Sequence, residues 1–406
     1  MRLSGKPGKS RLKRFLAWGS VVLALLAVTG WVALEIVASD SAEDLRYRLG
    51  ETELIVSNLT KDGVQLFRAG EDPEHLSGIP ADLSTPLWLQ PGNYVLRVRH
   101  GDKDQFHPVP LTGYRCGPDH DGSFLVTVRQ TPNQPPPRLR TDLPEFAYIP
   151  SGSFLLGDRR NPGEQHYVWL TGYYLAPFEV TNGEFRMFLS DSLGYANDDV
   201  WTKDGLRWKR ENRSHVTSLL TPSDGDYNRF GKDSQPVVWV NWFEANAYCR
   251  WLTEKVGGKR WLFSLPNDAE WEKAARGPDG FDYALGMSIS DNEAGLYNWR
   301  KNPGAPVTVV DCDASRSMYR PNRYGLYHIT GNVNEWSNSV NRLYNRANPY
   351  DDDDRNHADT PGLRSVRGGS WYSAAISYLY IPYRDAFQPE HSNQELGFRI
   401  TAKALP

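Results

Sequence analysis

Between Tyr324 and Tyr383 glycines and aromatic rings recur so closely that a long helix or a long uninterrupted strand has no room. The stretch opens with Gly325-Leu326-Tyr327-His328-Ile329-Thr330-Gly331-Asn332-Val333-Asn334-Glu335-Trp336 and continues, past a polar loop, as Arg364-Ser365-Val366-Arg367-Gly368-Gly369-Ser370-Trp371. Each half is a short β-prone run broken by glycines, which permit tight turns and close backbone approach. Aromatic rings beside the glycines can lie flat on bare backbone. The pattern predicts a compact, irregular core with few long elements. The composition agrees: 14 Trp against 4 Met is a core filled by large rings.

The N-terminus sets a second constraint. Arg2, Lys6, Lys9, Arg11, Lys13 and Arg14 make residues 1–14 a basic tail without an acidic residue. Charge is then absent from Phe15 to Leu34, close to the ~20 residues needed to span a bilayer. Trp18 and Trp31 sit near the ends of that run, where rings favour the interface. Residues 15–37 are therefore read as a signal anchor, with the tail cytoplasmic and the bulk periplasmic or extracellular. The competing reading is a cleaved signal peptide with a site near Val37-Ala38.

Residues 51–130 predict a small all-β unit. Leu54-Ile55-Val56, Val64-Gln65-Leu66-Phe67, Tyr94 to Arg99 and Phe124 to Val128 are its strand candidates, and Asp62-Gly63 is a turn signal. Its plain role is a spacer. Pro132 to Pro137 makes residues 131–142 a semi-rigid linker. The large unit spans 143–406, with helices expected over Asn182 to Leu189, Trp242 to Lys255, and from a cap at Asn267 or Asp268 to Arg276. Trp201 to Tyr227 is polar and carries no clear signal. A net charge of −3 gives no reason to expect nucleic acid as a partner. Cys116, Cys249 and Cys312 allow one internal bridge in an oxidising compartment and make no zinc motif. The run Asp351 to Asp354 reads as a solvated loop, with calcium the alternative.

Gly325-Leu326-Tyr327, Gly331-Asn332-Val333, Glu335-Trp336, Arg367-Gly368-Gly369-Ser370-Trp371 and Gly397-Phe398-Arg399 resemble the motifs of the formylglycine-generating enzyme (sulfatase-modifying factor) family. Upstream, Ile149 to Gly157, Phe178-Glu179-Val180-Thr181-Asn182, Pro236 to Ala245 and Leu265 to Glu272 match in family order. The "Pro-Gly-x-Tyr" of Pro91 to Tyr94 is similar to a PEGA-type β-sandwich. The resemblance implies an α+β fold with low regular secondary structure, a variant of the C-type-lectin-like fold. A transmembrane helix and a small β-sandwich precede it.

Enzymes of that family oxidise a substrate cysteine using copper(I) held by two thiolates, soft ligands for a soft ion. The resemblance puts those ligands three and eight residues after the Ser of "GGS", here Ser373 and Tyr378, and no Cys follows Ser370. Copper is therefore not expected. Iron is not expected either: His166, His215, His328, His357 and His391 show no helical ligand spacing. One implied calcium site keeps Gly331, Val333 and Glu335, with His328 where a hard oxygen donor belongs; the other would begin at Asn298 and Trp299, and one weak site at most is expected. Glu335 has a plainer role open to it, accepting backbone N–H groups inside the glycine turn.

The expectation is a catalytically silent, membrane-anchored module for a protein or glycan in the cell envelope. Its cleft would be lined by Ser370, Trp371, Tyr372, Tyr378, Tyr380, Tyr383 and Arg384. The alternatives are an oxidoreductase of the formylglycine-generating type or another metal-dependent modifying enzyme with a non-standard site, in which Ser370 and Arg384 would be polar contacts. A regulatory module signalling through the span is a third.

Overall fold

The computed structural model describes residues 51–405, apart from 59–62, 72–78, 80–82, 101–102, 113–122, 130–133, 162, 214, 216–228, 290–296, 300–308, 313–318 and 345–353. The 15–37 span, Cys116 and Asp351 to Asp353 lie outside the described residues, among which no helix is long and apolar enough to cross a membrane.

Two three-stranded sheets form the first unit. Strands β1 (Thr52–Ser57), β3 (Leu87–Leu89) and β6 (Ser123–Thr127) make one, with β1 central and parallel to β6. Strands β2 (Val64–Arg68), β4 (Gly92–His100) and β5 (Lys103–Leu111) make the other, antiparallel around β4. The period of two along β4 turns Tyr94, Leu96 and Val98 toward Leu54, Leu66, Val109 and Phe124.

This unit packs directly on the large one. Tyr324 Oη donates to Phe106 O at 3.2 Å, Arg323 Nη2 to Glu71 O at 2.9 Å, and Tyr167 Oη to Pro110 O at 2.7 Å. The Gly70 amide donates to Asp279 Oδ1 at 2.9 Å, and Asp279 also pairs with Arg323.

In the large unit one four-stranded sheet runs β11 (Trp261–Ser264), β16 (Thr401–Ala404), β10 (Tyr173–Leu175), β7 (Ala147–Ile149). A second runs β14 (Asp385–Phe387), β13 (Arg364–Arg367), β12 (Asn334–Val340), β15 (Leu396–Gly397). Strands β8 (Gly152–Leu156) and β9 (His166–Leu170) pair by themselves. Among the described residues the named helices are α1 (Asn182–Ser190), α2 (Lys203–Glu211), α3 (Trp242–Val256) and α4 (Asp268–Arg276).

Three of these helices start on the same local device. Thr181, Asn241 and Asn267 accept the amide three residues on, while Glu184, Glu244 and Glu270 reach back to the cap amide. Helix α3 is buried over most of its surface, not along a single stripe. Its rings join a core that holds Trp242, Trp251, Trp271 and Trp336 fully buried. Each indole N–H finds an acceptor: Ser337 O, Asp191 Oδ2, Glu335 Oε2 and Val240 O respectively. Cys249 and Cys312 are free thiols inside the protein, and burial pushes both of them up.

Candidate functional site

Two glycine turns meet around Asn332. Gly331 has φ +88°, and a Cβ there would come within 2.8 Å of Asn298 O. Asn332 follows at φ +63°, a conformation its short amide tolerates. Its Oδ1 accepts from Asn298 Nδ2 at 3.0 Å and from the Val310 amide at 2.8 Å; its Nδ2 donates to Glu179 Oε1 at 3.0 Å. The Gly331 amide donates to Gly368 O and the Trp371 amide to Asn332 O, which ties the two turns into one body.

Glu335 lies beneath, fully buried. Arg399 Nε donates to both of its oxygens at 2.9 Å and Arg399 Nη2 to Oε1 at 2.7 Å, while Trp271 Nε1 donates to Oε2 at 2.7 Å. Remaining Arg399 donors reach Ala176 O, Pro177 O and Tyr327 O. The expected acceptance of backbone N–H groups by Glu335 is thus replaced by an arginine and an indole. Burial first, then the neighbouring Arg399 charge, holds the His328 imidazole down to about 3, so it is neutral. Burial, lowered again by Arg399 but raised by Glu335, pushes Glu179 up to about 8.

The expected calcium ligands are tied into the turn and the ion pair. Asn298 Nδ2 donates to Asn332 Oδ1, and the Asn298 carbonyl accepts the Asn332 amide. The Glu335 carboxylate already has a guanidinium as counter-ion. Among the described residues no group of three or more His, Cys, Asp or Glu is arranged to hold a metal. Asp354, at the end of the acidic run, pairs with Arg342 instead, and that pairing holds its carboxyl low.

The second turn packs against Ser373 Oγ and the Tyr378 backbone. Gly369 sits at φ +71°, and a Cβ on it would meet Tyr378 O at 2.8 Å and Ser373 Oγ at 3.2 Å. Ser373 Oγ accepts the Ser370 amide at 2.9 Å while the Ser373 amide donates to Ser370 O. Ser370 Oγ donates to Glu395 Oε2 at 2.5 Å and accepts the Tyr372 amide. A hydroxyl therefore closes this turn where a soft thiolate would be needed to grip copper(I), and Tyr378 presents a phenol. The donor set does not fit copper.

Of the residues expected in a cleft, Tyr372 and Tyr378 are exposed, at 43% and 38%, with Tyr383 edge-on to Tyr378 at 5.2 Å. Four others are not. Ser370 is buried in its turn, and Trp371 packs on Phe230 at 5.8 Å. Tyr380 donates to Asp158 Oδ1 at 2.6 Å beneath the Arg160 guanidinium. Arg384 lies 3.8 Å over the Tyr344 ring and donates to Arg342 O. Sequence reasoning missed Glu395 and Arg399 as partners of the two turns. The Gly397-Phe398-Arg399 motif was the available signal for the second.

The geometry defines a class first: a mixed α+β scaffold in which two interlocked glycine turns rest on a buried Glu–Arg pair. The sulfatase-modifying factor enzyme 1-like domain, the FGE-sulfatase family, matches residues 131–404, and the chain belongs to that family. It is 28% identical over 315 residues to the formylglycine-generating enzyme of Mus musculus, covering 65% of this chain and 76% of that protein. It is 26% identical over 293 residues to the inactive C-alpha-formylglycine-generating enzyme 2 of the same organism, covering 64% and 86%. A solved structure, Treponema denticola variable protein 1, is 21% identical with a TM-score of 0.47, over 63% of this chain and 94% of that one.

Proposed function

We propose that this chain is a non-catalytic FGE-sulfatase domain protein held in a membrane through residues 15–37. Its bulk is displayed on the periplasmic or extracellular side, as a binding, scaffold or regulatory module for a protein or glycan of the envelope. The observation that carries the reading is the commitment of Ser373 Oγ to the Ser370 amide, beside a tyrosine at position 378. Both ligand positions of the family's copper chemistry are filled by oxygen side chains, one of them already used to close a turn. A relative named as inactive supports the same reading. The recognising surface is then the exposed edge of the second turn, Tyr372, Ile376 and Tyr378, whose rings and phenol oxygens suit stacking with hydrogen bonding.

The test is to incubate the purified full chain with a cysteine-containing peptide, copper(I) and oxygen, and to follow the peptide by mass spectrometry. No conversion of cysteine to aldehyde is expected. Conversion with turnover would establish the oxidoreductase reading instead. Alkaline extraction of membranes tests the anchor: the chain should stay in the pellet, and release into the wash would remove that part of the proposal.

A further inference from the structure

Where the small β unit meets the large one there is a cleft of about 220 Å³. It is smaller than the roughly 300–1,000 Å³ of a drug-sized pocket. Strand β5 supplies Lys103 and Phe106, the segment leading into β7 supplies Glu145 and Phe146, and β7 and β10 supply Tyr148 and Tyr174. Tyr148 and Tyr174 are register partners across the sheet, so both rings stand on one face, 5.1 Å apart. Gly172 makes room for the first of them: a Cβ there would come within 2.4 Å of Tyr148 Oη.

The charges of this cleft separate into used and unused. Asp104 is bonded to Arg97 and Arg99, and Arg323 to Asp279 and the Glu71 carbonyl. Lys103 and Glu145, both exposed, have no ion-pair partner among the described residues, and the Tyr148 hydroxyl, which the Arg129 charge also reaches, has no hydrogen-bond partner among them. Burial pushes the Tyr148 hydroxyl up, and burial with Tyr148 and Glu145 nearby pushes Tyr174 up to about 12, so both remain neutral O–H groups at physiological pH.

We propose that this cleft binds a zwitterionic small molecule of the α-amino-acid type. Its ammonium meets Glu145 and the tyrosine faces, its carboxylate meets Lys103 and the Tyr148 hydroxyl, and its side chain lies against Phe106 and Phe146. One spare anion and one spare cation on facing units select a ligand carrying both signs. A neutral sugar would engage neither charge, and a simple anion such as phosphate would face Glu145. Aromatic faces stabilise a bound ammonium, and charge-assisted hydrogen bonds fix each end. Because walls come from both units, occupancy also fastens the seam between them. The inference is independent of whether the glycine turns catalyse anything.

The experiment uses the detergent-solubilised full chain, screened with each free L-amino acid by thermal shift, the strongest then measured by calorimetric titration. Saturable binding of at least one is expected, with the affinity reduced at least tenfold by N-acetylation or by amidation of that ligand. Glu145→Gln and Lys103→Gln should each lose at least tenfold, and Tyr148→Phe several-fold, with unchanged unfolding midpoints in the absence of ligand. No binding by any free amino acid would overturn the proposal. So would blocked derivatives binding as tightly as the free form, or affinity unaffected by the Glu145 and Lys103 substitutions.

Discussion

Replacing Arg399 by Met keeps much of the side chain's length and apolar volume but removes its charge from beneath the glycine turns. Glu335 and Arg399 are both fully buried, and three arginine N–H contacts between 2.7 and 2.9 Å neutralise the carboxylate. Breaking a buried pair by removing one partner costs about 3–5 kcal/mol, because the remaining charge has no counterpart. The carbonyls of Ala176, Pro177 and Tyr327 lose donors as well, each worth about 1 kcal/mol and not fully additive. Arg399→Met should therefore destabilise by about 4 kcal/mol, a large part of the roughly 5–15 kcal/mol typical of a folded domain. Urea unfolding followed by tryptophan fluorescence suits the question, since Trp271 and Trp336 are buried beside Glu335 in space or sequence. The midpoint should fall at an unchanged slope. Adding Glu335→Gln, which keeps an acceptor for the Trp271 indole but removes the charge, should recover about 1–2 kcal/mol. A loss below about 1 kcal/mol in the single variant, or a double variant no more stable than the single, would refute the pairing as the support of these turns. Recovery of the single variant by added calcium would refute it too.

Three further outcomes follow from the same structure. Ser373→Ala removes the acceptor of the Ser370 amide, so it should cost about 1–2 kcal/mol in the same unfolding assay; no loss would mean the hydroxyl does not close the turn. Glu179 keeps its proton in the folded chain up to about 8, whereas the unfolded carboxyl releases it near 4.5, so stability should fall as pH rises across that window. Glu179→Gln should flatten this dependence and leave the protein at least about 1 kcal/mol more stable than the parent at alkaline pH; an unchanged pH profile would count against a buried neutral Glu179. Arg323→Ala should loosen the seam between the units without unfolding either, seen as faster limited proteolysis in residues 51–130 and an unchanged main unfolding transition; equal cleavage rates would argue that the other seam contacts suffice.

What the sequence made legible was local. Apolar spacing over Asn182 to Leu189 and Trp242 to Lys255, and a capping residue at Asn267 or Asp268, announce three helices, and the structure starts them at Asn182, Trp242 and Asp268. Helix α2 was not legible, because Thr202 caps onto Gly205 with no returning carboxylate and charged residues crowd its two apolar positions. The glycine turns were legible from their spacing, since only particular residues tolerate those backbone angles. Which neighbouring rings face solvent was not. Trp371 is covered by Phe230, and Tyr380 finds Asp158 far away in the chain, while Tyr372 and Tyr378 between them stay exposed. Exposure in an irregular segment depends on distant partners, and no periodicity encodes them. Glu335 was misread for the same reason: its partner Arg399 is remote in sequence, and the carboxylate alone looks like a calcium ligand or a turn clamp.

Anaerobic loading of the purified full chain with copper(I), followed by desalting and metal quantification, tests the identity of the ligand positions most directly. Ser373→Cys combined with Tyr378→Cys serves as the comparison. The parent chain should retain no stoichiometric copper, and the double variant should gain it, since Ser373 Oγ and the Tyr378 backbone both lie against Gly369. Stoichiometric copper retained by the parent chain would contradict the conclusion that oxygen side chains have closed this site to the metal.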